Sequence, residues 1–211
     1  MASMFGALPT LSLMGVHYNL LRGRRSSLLR GCFRMNDTTD YLKYYDAENY
    51  LLGVGKGFRD TGQLSPEDLY LLFIWKANRA KNRHRDRLKA RAGSLHLAVD
   101  QIASSLTAAT SQKERLGVLM RDWGFRLPTA SAILTILYPS DFTVYDQRVR
   151  DELGLKLDIS GDPFSDALWA TYEEFRALVI RSTPAELSLR DKDRFLMARS
   201  IWKGIEHDCQ E

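Results

Sequence analysis

Apolar side chains recur along this chain at intervals of three and four residues, which is the spacing of one face of an α-helix. Leu69, Leu72 and Phe73 follow this spacing in one segment, and Leu168 and Tyr172 follow it in another. No segment shows the sustained alternation of apolar and polar positions that is typical of a half-buried strand. The pattern therefore predicts an all-α protein, built as a compact multi-helix domain.

Capping residues predict where the helices begin and end. A serine oxygen at a helix start accepts a bond from a free backbone amide, and an acidic residue three positions later strengthens the signal. The predicted N-caps are Ser65, Ser94, Ser111, Ser165 and Ser188, and the predicted stops are Gly124, Pro139 and Gly154. A further helix is predicted from Asp46 to Arg59, although three glycines weaken it. Together these signals predict seven or eight helices joined by short loops.

The last predicted helix begins after Ser188 and is expected to pack through its large apolar residues. The residues expected to be buried are Phe195, Leu196, Ile201 and Trp202.

Composition narrows the class of protein. The chain has 211 residues, of which 45% are hydrophobic and 27% are charged, values that are ordinary for a globular domain. Two distant cysteines, Cys32 and Cys209, favour a reducing compartment and argue against a disulfide scaffold or a zinc site. No apolar run approaches the ~18 residues of a membrane span.

Residues 1–34 differ from the rest of the chain, because they contain five arginines and no acidic residue. This composition is typical of an organelle transit peptide, but translation from Met35 is an alternative interpretation, and a signal peptide fits less well. We expect residues 1–34 to be a disordered or loosely attached extension and residues 35–211 to form the domain. The expected location is cytoplasmic, with organelle import if the extension is genuine.

The net charge of +4 comes from that extension, since the remaining residues hold 25 basic against 26 acidic side chains. A local cluster is more informative: residues 76–91 contain eight Lys or Arg and one acidic residue. On one continuous helix, four of them share a stripe that suits DNA phosphates: Lys76, Arg79, Arg83 and Arg87. A solvated helix end is the alternative interpretation. The neighbouring Trp75 is expected to belong to the core.

The segment "GFRLPTASAILTILYPSDFTVYDQRV" from Gly124 to Val149 predicts two helices joined by a very short turn, an αα-hairpin. Backbone amides at such a turn have no intrahelical partner and attract anions such as phosphate. The residues expected to bind DNA here are Gly124, Phe125, Arg126, Leu127 and Thr129. The hairpin therefore predicts a backbone clamp for a phosphodiester.

Asp146 follows the hairpin by one helix and one loop, at the predicted start of another helix. A carboxylate in this position is usually an N-cap. Beside bound DNA, the same carboxylate would also be fixed in orientation and close to a sugar. Both roles are compatible with the sequence.

At these residues the chain resembles the helix-hairpin-helix DNA glycosylase superfamily that includes endonuclease III. Gly124 corresponds to a hairpin glycine, Thr129 and Ala130 to a Thr-Ala pair, and Asp146 to the catalytic aspartate. Pro128 stands where bifunctional members carry a nucleophilic lysine, and a Cys-ligated iron–sulfur loop is absent. The close resemblance covers about 30 residues, and a shared helical character extends it weakly over 36–211.

The resemblance implies a monofunctional N-glycosylase that flips a nucleotide and hydrolyses its base–sugar bond, with Asp146 as the catalytic carboxylate. The implied partner is duplex DNA, bound by a monomer without sequence preference, and no cofactor or metal is implied. Two alternatives stay open: a DNA-binding protein in which Asp146 is a plain cap, and a helical protein-interaction module.

Overall fold

The computed structural model describes residues 39–209. The predictions for residues 1–34 and for Cys32 fall outside these residues. The residues from Tyr44 onward form a compact unit that contains the hydrophobic core. Within the described residues every regular element is helical, which confirms the all-α class.

The described residues form ten α-helices, numbered here in chain order. They are α1 Thr39–Tyr45, α2 Ala47–Thr61, α3 Pro66–Ala77, α4 Lys81–Ala92, α5 Leu95–Ala108, α6 Gln112–Gly117, α7 Leu127–Leu137, α8 Gln147–Glu152, α9 Asp166–Arg181 and α10 Leu189–Asp208. A 3₁₀ turn, Asn78–Ala80, links α3 to α4, and a π-helical turn, Val118–Asp122, extends α6. The sequence predicted fewer helices, because α1 has no cap signal and α4 was expected to continue α3.

The predicted caps are confirmed. Each of the five predicted serines accepts a bond from the amide three residues later: Ser65, Ser94, Ser111, Ser165 and Ser188. Asp46 caps α2 through the amide three residues later, and Asp146 caps α8 through the amide two residues later. Gly124 and Gly154 adopt positive φ angles of 63° and 71°, as a glycine that stops a helix often does.

The predicted continuous basic helix is wrong. Ala77 leaves helical geometry, with φ −137° and ψ 44°, and Asn78–Ala80 form the 3₁₀ turn before α4 begins. Lys76 therefore belongs to α3, whereas Arg83 and Arg87 belong to α4. The four cations do not share one helical stripe.

Packing of α2 on α7 explains one glycine that sequence reasoning counted as a weakness. A Cβ atom on Gly55 would lie 1.9 Å from the carbonyl oxygen of Ile136, so only glycine permits this approach. Nearby, Nη1 of Arg59 donates to the Leu137 carbonyl at 2.7 Å, so the last carbonyl of α7 has a hydrogen-bond partner. Ten of the eleven residues of the helix 127–137 are buried, and Pro128 is partly exposed.

The packing predicted for α10 is wrong for three of its four residues. Leu196 is fully buried, but Phe195, Ile201 and Trp202 are 39%, 45% and 58% exposed. The buried face instead includes Lys192 and Asp193. Within residues 39–209, no helix combines the length and apolar character needed to cross a bilayer.

Candidate functional site

The buried segment Phe142–Tyr145 belongs to no helix, leads into Asp146 and is held in place by side chains from other elements. The Tyr172 hydroxyl of α9 donates to the Thr143 carbonyl at 2.7 Å and accepts from the Thr143 amide at 3.1 Å. One residue later, the Val144 amide donates to Asp193 Oδ2 of α10 at 3.4 Å. These bonds substitute for the sheet or helix partners that an extended, buried backbone would otherwise lack.

Tyr145 connects the same segment to the hairpin. Its amide donates to Ser131 Oγ of α7 at 2.9 Å, and its hydroxyl accepts from the Ile159 amide at 3.3 Å. Its ring packs edge-on against Phe175 with centroids 4.9 Å apart. The position of Asp146 is therefore set by α7, α9 and α10 together.

Asp146 combines the predicted cap with a partner that the sequence did not reveal. Oδ1 accepts from the Arg148 amide at 3.0 Å, which starts α8. Oδ2 lies 2.5 Å from Nζ of Lys76, at the end of α3, and the two side chains are 20% and 16% exposed. Burial would raise the pKa of Asp146, but the Lys76 ammonium and the Arg148 amide outweigh it and hold this pKa below its ordinary value. The carboxylate is therefore charged at neutral pH.

A pocket of about 410 Å³ opens beside this pair. Its size falls in the range of small-molecule sites, ~300–1,000 Å³. Trp75 supplies the one aromatic wall, and the rest of the lining is charged or aliphatic. The lining residues are Glu48, Trp75, Lys76, Val144, Asp146, Arg190, Asp193, Arg194, Met197, Ala198 and Ile201.

A second carboxylate lies in the wall of this pocket. Asp193 is 2% exposed, bonds to Arg190 and accepts from the Val144 amide. Burial raises the pKa of Asp193 to about 6, although Arg190, the Val144 amide and Lys76 pull it down. The surroundings within one pocket therefore lower the pKa of Asp146 and raise the pKa of Asp193.

Arg190 joins the opposite side of the pocket. Its guanidinium lies 5.4 Å from the centre of the Trp75 ring and 2.5 Å from Glu48 Oε1. Arg194 reaches the same Glu48 oxygen at 2.8 Å. The positive and negative groups in the lining are therefore paired with one another.

A smaller cavity of about 250 Å³ lies on the hairpin side of Asp146. Pro128 from the start of α7 and Arg150 from α8 both line it. Asp146 borders both cavities, so it stands between the pocket and the start of the hairpin helix.

The hairpin has the predicted turn but fewer free amides than expected. The Phe125 amide donates to the Leu119 carbonyl at 2.9 Å, and the Thr129 amide donates to the Arg126 carbonyl at 3.0 Å. Pro128 has no amide proton. Among the described hydrogen bonds, the amides of Gly124, Arg126 and Leu127 have no backbone acceptor. The side chains of Phe125 and Leu127 are buried, whereas Gly124 and Arg126 are exposed.

The basic helix α4 packs directly on this hairpin. The Arg87 guanidinium lies 4.9 Å from the centre of the Phe125 ring, and Arg91 lies 5.2 Å from that of Trp123. His84 inserts its ring beside Phe125 at 5.5 Å. The predicted hairpin and the predicted basic segment are therefore parts of one surface.

Several cations on this surface are exposed and have no acidic partner. Within the part of the chain that the structure describes, no ion pair involves Arg79, Arg83, Arg87 or Arg126. Lys76 is the exception among the predicted DNA-binding cations, because it faces Asp146 in the pocket. The structure places Arg87 against the hairpin, to which Arg126 belongs, and places Lys76 at the candidate catalytic carboxylate.

Sequence reasoning missed most of the pocket. Trp75 was interpreted as core, yet it is partly buried and lines the cavity. Asp193, Arg190 and Glu48 gave no signal, because they lie on helices distant in sequence from the hairpin. His84 of α4 is buried, with 7% of its surface exposed, and its Nδ1 has no hydrogen-bond partner.

Comparison with protein-family models, with curated proteins and with solved structures finds no match to this chain. The described residues contain no group of three His, Cys, Asp or Glu side chains that could hold a metal ion. The site must therefore be interpreted from its own geometry.

Proposed function

We propose that this protein is a DNA base-excision N-glycosylase with Asp146 as its catalytic carboxylate. One observation carries the proposal: Asp146 is an ionised, rigidly held carboxylate on the wall of a pocket and next to the basic hairpin surface. An enzyme that acts on a base in a duplex needs such an arrangement, because the base must leave the stack and enter a pocket while the backbone stays bound.

The hairpin and α4 would hold the DNA backbone. One contact to the DNA backbone would be made by the amides of Gly124 and Leu127 and by the exposed Arg126. Arg83 and Arg87 on α4 would add positive charge beside it. These groups contact phosphates rather than base edges, so we expect binding without sequence preference. Arg79 in the 3₁₀ turn extends the same charge.

The flipped base would enter the pocket of about 410 Å³ beside Trp75. Cleavage of the base–sugar bond leaves positive charge on the sugar, as in glycoside hydrolysis. A carboxylate fixed by the Arg148 amide can oppose that charge, and such preorganised electrostatic stabilisation is worth several kcal/mol, roughly 3–4 in well-studied cases. Pro128 places no amine in the hairpin, so we propose that water completes the base-release step.

We further propose that the protein acts as a monomer in the cytoplasm, with duplex DNA as its partner. The exposed, free Cys209 is compatible with a reducing compartment.

A non-catalytic DNA-binding protein is the second candidate, and one observation favours it. Both oxygens of Asp146 already have partners, the Arg148 amide and the Lys76 ammonium. If neither partner is ever displaced, then Asp146 stabilises the fold and the hairpin surface alone carries the function.

The two candidates are separated by measuring base release from duplexes that each carry one damaged or mismatched base. A glycosylase releases free base from at least one such duplex, and the product strand contains an abasic site that alkali cleaves. If the protein binds every duplex but releases a base from none of them, then the non-catalytic DNA-binding function is supported and the glycosylase is rejected.

A further inference from the structure

The second half of α10 carries a group of large apolar side chains that are exposed. Single exposed apolar residues are normal in a globular protein, but several on one face of a helix mark a surface that binds something. Four such residues are between 39% and 58% exposed: Phe195, Ile201, Trp202 and Ile205. The surface that they form is called here the α10 stripe.

The α10 stripe is continuous with the pocket. Ala198 and Ile201 line the pocket beside Asp146. Residues four apart in a helix lie one turn apart on the same face, so Trp202 follows Ala198 and Ile205 follows Ile201 along α10. The stripe therefore extends one wall of the pocket outward onto the surface.

Basic side chains flank the α10 stripe. Residues 194–205 include three basic residues and no acidic one. Arg199 lies over the Phe195 ring at 5.6 Å from its centre, and it shares one carboxylate, that of Glu152 in α8, with Lys203. Two cations on one carboxylate leave a net positive charge at the edge of the stripe. Aromatic rings beside basic side chains are typical of surfaces that bind single-stranded nucleic acid.

We propose that the α10 stripe binds unpaired bases of DNA outside the pocket, with Trp202 as the residue on which a base stacks. A nucleotide in the pocket stays joined to its neighbours through the backbone, so a neighbouring base lies near the rim. Every base has a π face, so stacking on an indole ring does not depend on the sequence. The location of DNA at the pocket rests on the proposed function, but binding of single-stranded DNA by the stripe does not require base release.

The size and charge of the α10 stripe fit bases better than a protein partner. Four side chains at about half exposure offer at most roughly 500 Å², less than the ~800 Å² per partner of a standard protein interface. Burial of Arg199 and Lys203 in such an interface would also cost desolvation free energy. DNA supplies phosphates for these two cations and flat bases for Trp202.

The test measures binding of a single-stranded oligonucleotide with undamaged bases to the full chain. Trp202 is the one exposed tryptophan of the four in the chain, so a base stacked on it should quench the emission of the protein. Anisotropy of the labelled oligonucleotide gives the Kd. Thermal melting of each variant is measured in parallel, so that a loss of affinity is not confused with a loss of folding.

Two substitutions at position 202 separate stacking from general apolar contact. Trp202→Phe keeps an aromatic ring, so the Kd should stay within about threefold while most of the quenching disappears. Trp202→Leu keeps an apolar side chain without a ring, so the Kd should rise by about fivefold or more. Leu97→Ala, which removes a similarly exposed side chain from α5, is the control and should leave the Kd unchanged.

Absence of quenching by the oligonucleotide, or an equal loss of affinity in Trp202→Phe and Trp202→Leu, would overturn the proposal. A dimer seen by analytical ultracentrifugation and lost in Trp202→Leu would also overturn it, because a second copy would then occupy the stripe. The proposed glycosylase is judged separately, by base release from lesion-bearing duplexes. Quenching at Trp202 without base release would retain the stripe and reject the glycosylase, and base release without quenching would do the opposite.

Discussion

Lys76 and Asp146 lie 70 residues apart in the sequence, and their charged atoms lie 2.5 Å apart in the fold. α3 ends just after Lys76, and α8 starts just after Asp146, so two helix termini bring the pair together. The carboxylate therefore has one structural partner, the Arg148 amide, and one partner that reaches it from the pocket.

Asp146→Asn tests the role of the negative charge. Asparagine caps a helix about as well as aspartate, so α8 should persist. Base release should fall by about 100-fold or more, because the charge acts mainly on the cationic transition state. Some destabilisation, about 1–2 kcal/mol, is expected from the unpaired Lys76 ammonium. The measurements are single-turnover base release and chemical denaturation.

Asp46→Asn is the matched control for this variant. Asp46 also caps a helix, α2, through a bond from the Asn49 amide, but it does not line the pocket. Base release should be unchanged in Asp46→Asn. An equal loss of base release in both variants would mean that the loss does not come from the charge of Asp146.

Replacement of both Arg79 and Arg83 by alanine tests the DNA surface. Each phosphate contact adds to the salt dependence of binding, so the slope of log K against log salt should become shallower by about 1–2 units. Arg85→Ala with Lys89→Ala is the control, since these residues line a separate groove beside Tyr70. Fluorescence anisotropy with a labelled duplex at several salt concentrations gives both slopes. If the two double variants have equal slopes, then Arg79 and Arg83 do not contact the DNA phosphates.

The helices could be predicted from the sequence because their signals are local. Ser111 and Glu114 form the reciprocal capping box that their spacing predicts. Ser188 and Ser165 likewise cap α10 and α9. A cap depends on residues within one turn of each other, so no knowledge of the tertiary structure is needed.

The pocket could not be predicted, because its parts meet only through tertiary packing. Asp193 and Arg190 lie on α10 and gave no signal in the sequence, yet Asp193 accepts a bond from the Val144 amide and the Arg190 guanidinium lies over the Trp75 ring. Trp202 shows the opposite error, since an apolar side chain was expected to be buried and is 58% exposed. Periodicity assigns apolar residues to the core, but it cannot identify a helix that buries charged residues around a cavity.

Gly55→Ala tests the close packing of α2 on α7. The added Cβ would lie 1.9 Å from the Ile136 carbonyl oxygen, so the helices must move apart, which should lower the free energy of unfolding by about 1–3 kcal/mol or more. Gly57→Ala is the control in the same helix, since its Cβ would meet nothing within 4 Å. Alanine there should stabilise by about 0.5–1 kcal/mol. Urea denaturation measures the free energy of unfolding of both variants. If both substitutions change it in the same direction, then close packing on α7 does not explain the glycine at position 55.

His84 makes the stability of the protein depend on pH. Burial between Phe73 and Phe125, and then the charges of Arg87 and Arg83, lower the pKa of His84 from 6.5 to about 4. Between these two values the unfolded chain binds a proton that the folded chain does not, so stability falls as pH decreases from about 6.5 to about 4. Asp193 has the opposite effect, because its raised pKa, about 6, makes the folded chain bind the extra proton.

His84→Phe separates the two contributions, because it removes the titration of His84 and leaves Asp193 in place. Phenylalanine suits the aromatic surroundings and has no unpaired nitrogen. We expect its free energy of unfolding, relative to the unmodified chain, to rise by about 1–3 kcal/mol as pH decreases from 6.5 to 4. If the free energy of unfolding depends on pH in the same way in His84→Phe and in the unmodified chain, then His84 is protonated in the folded state over this pH range.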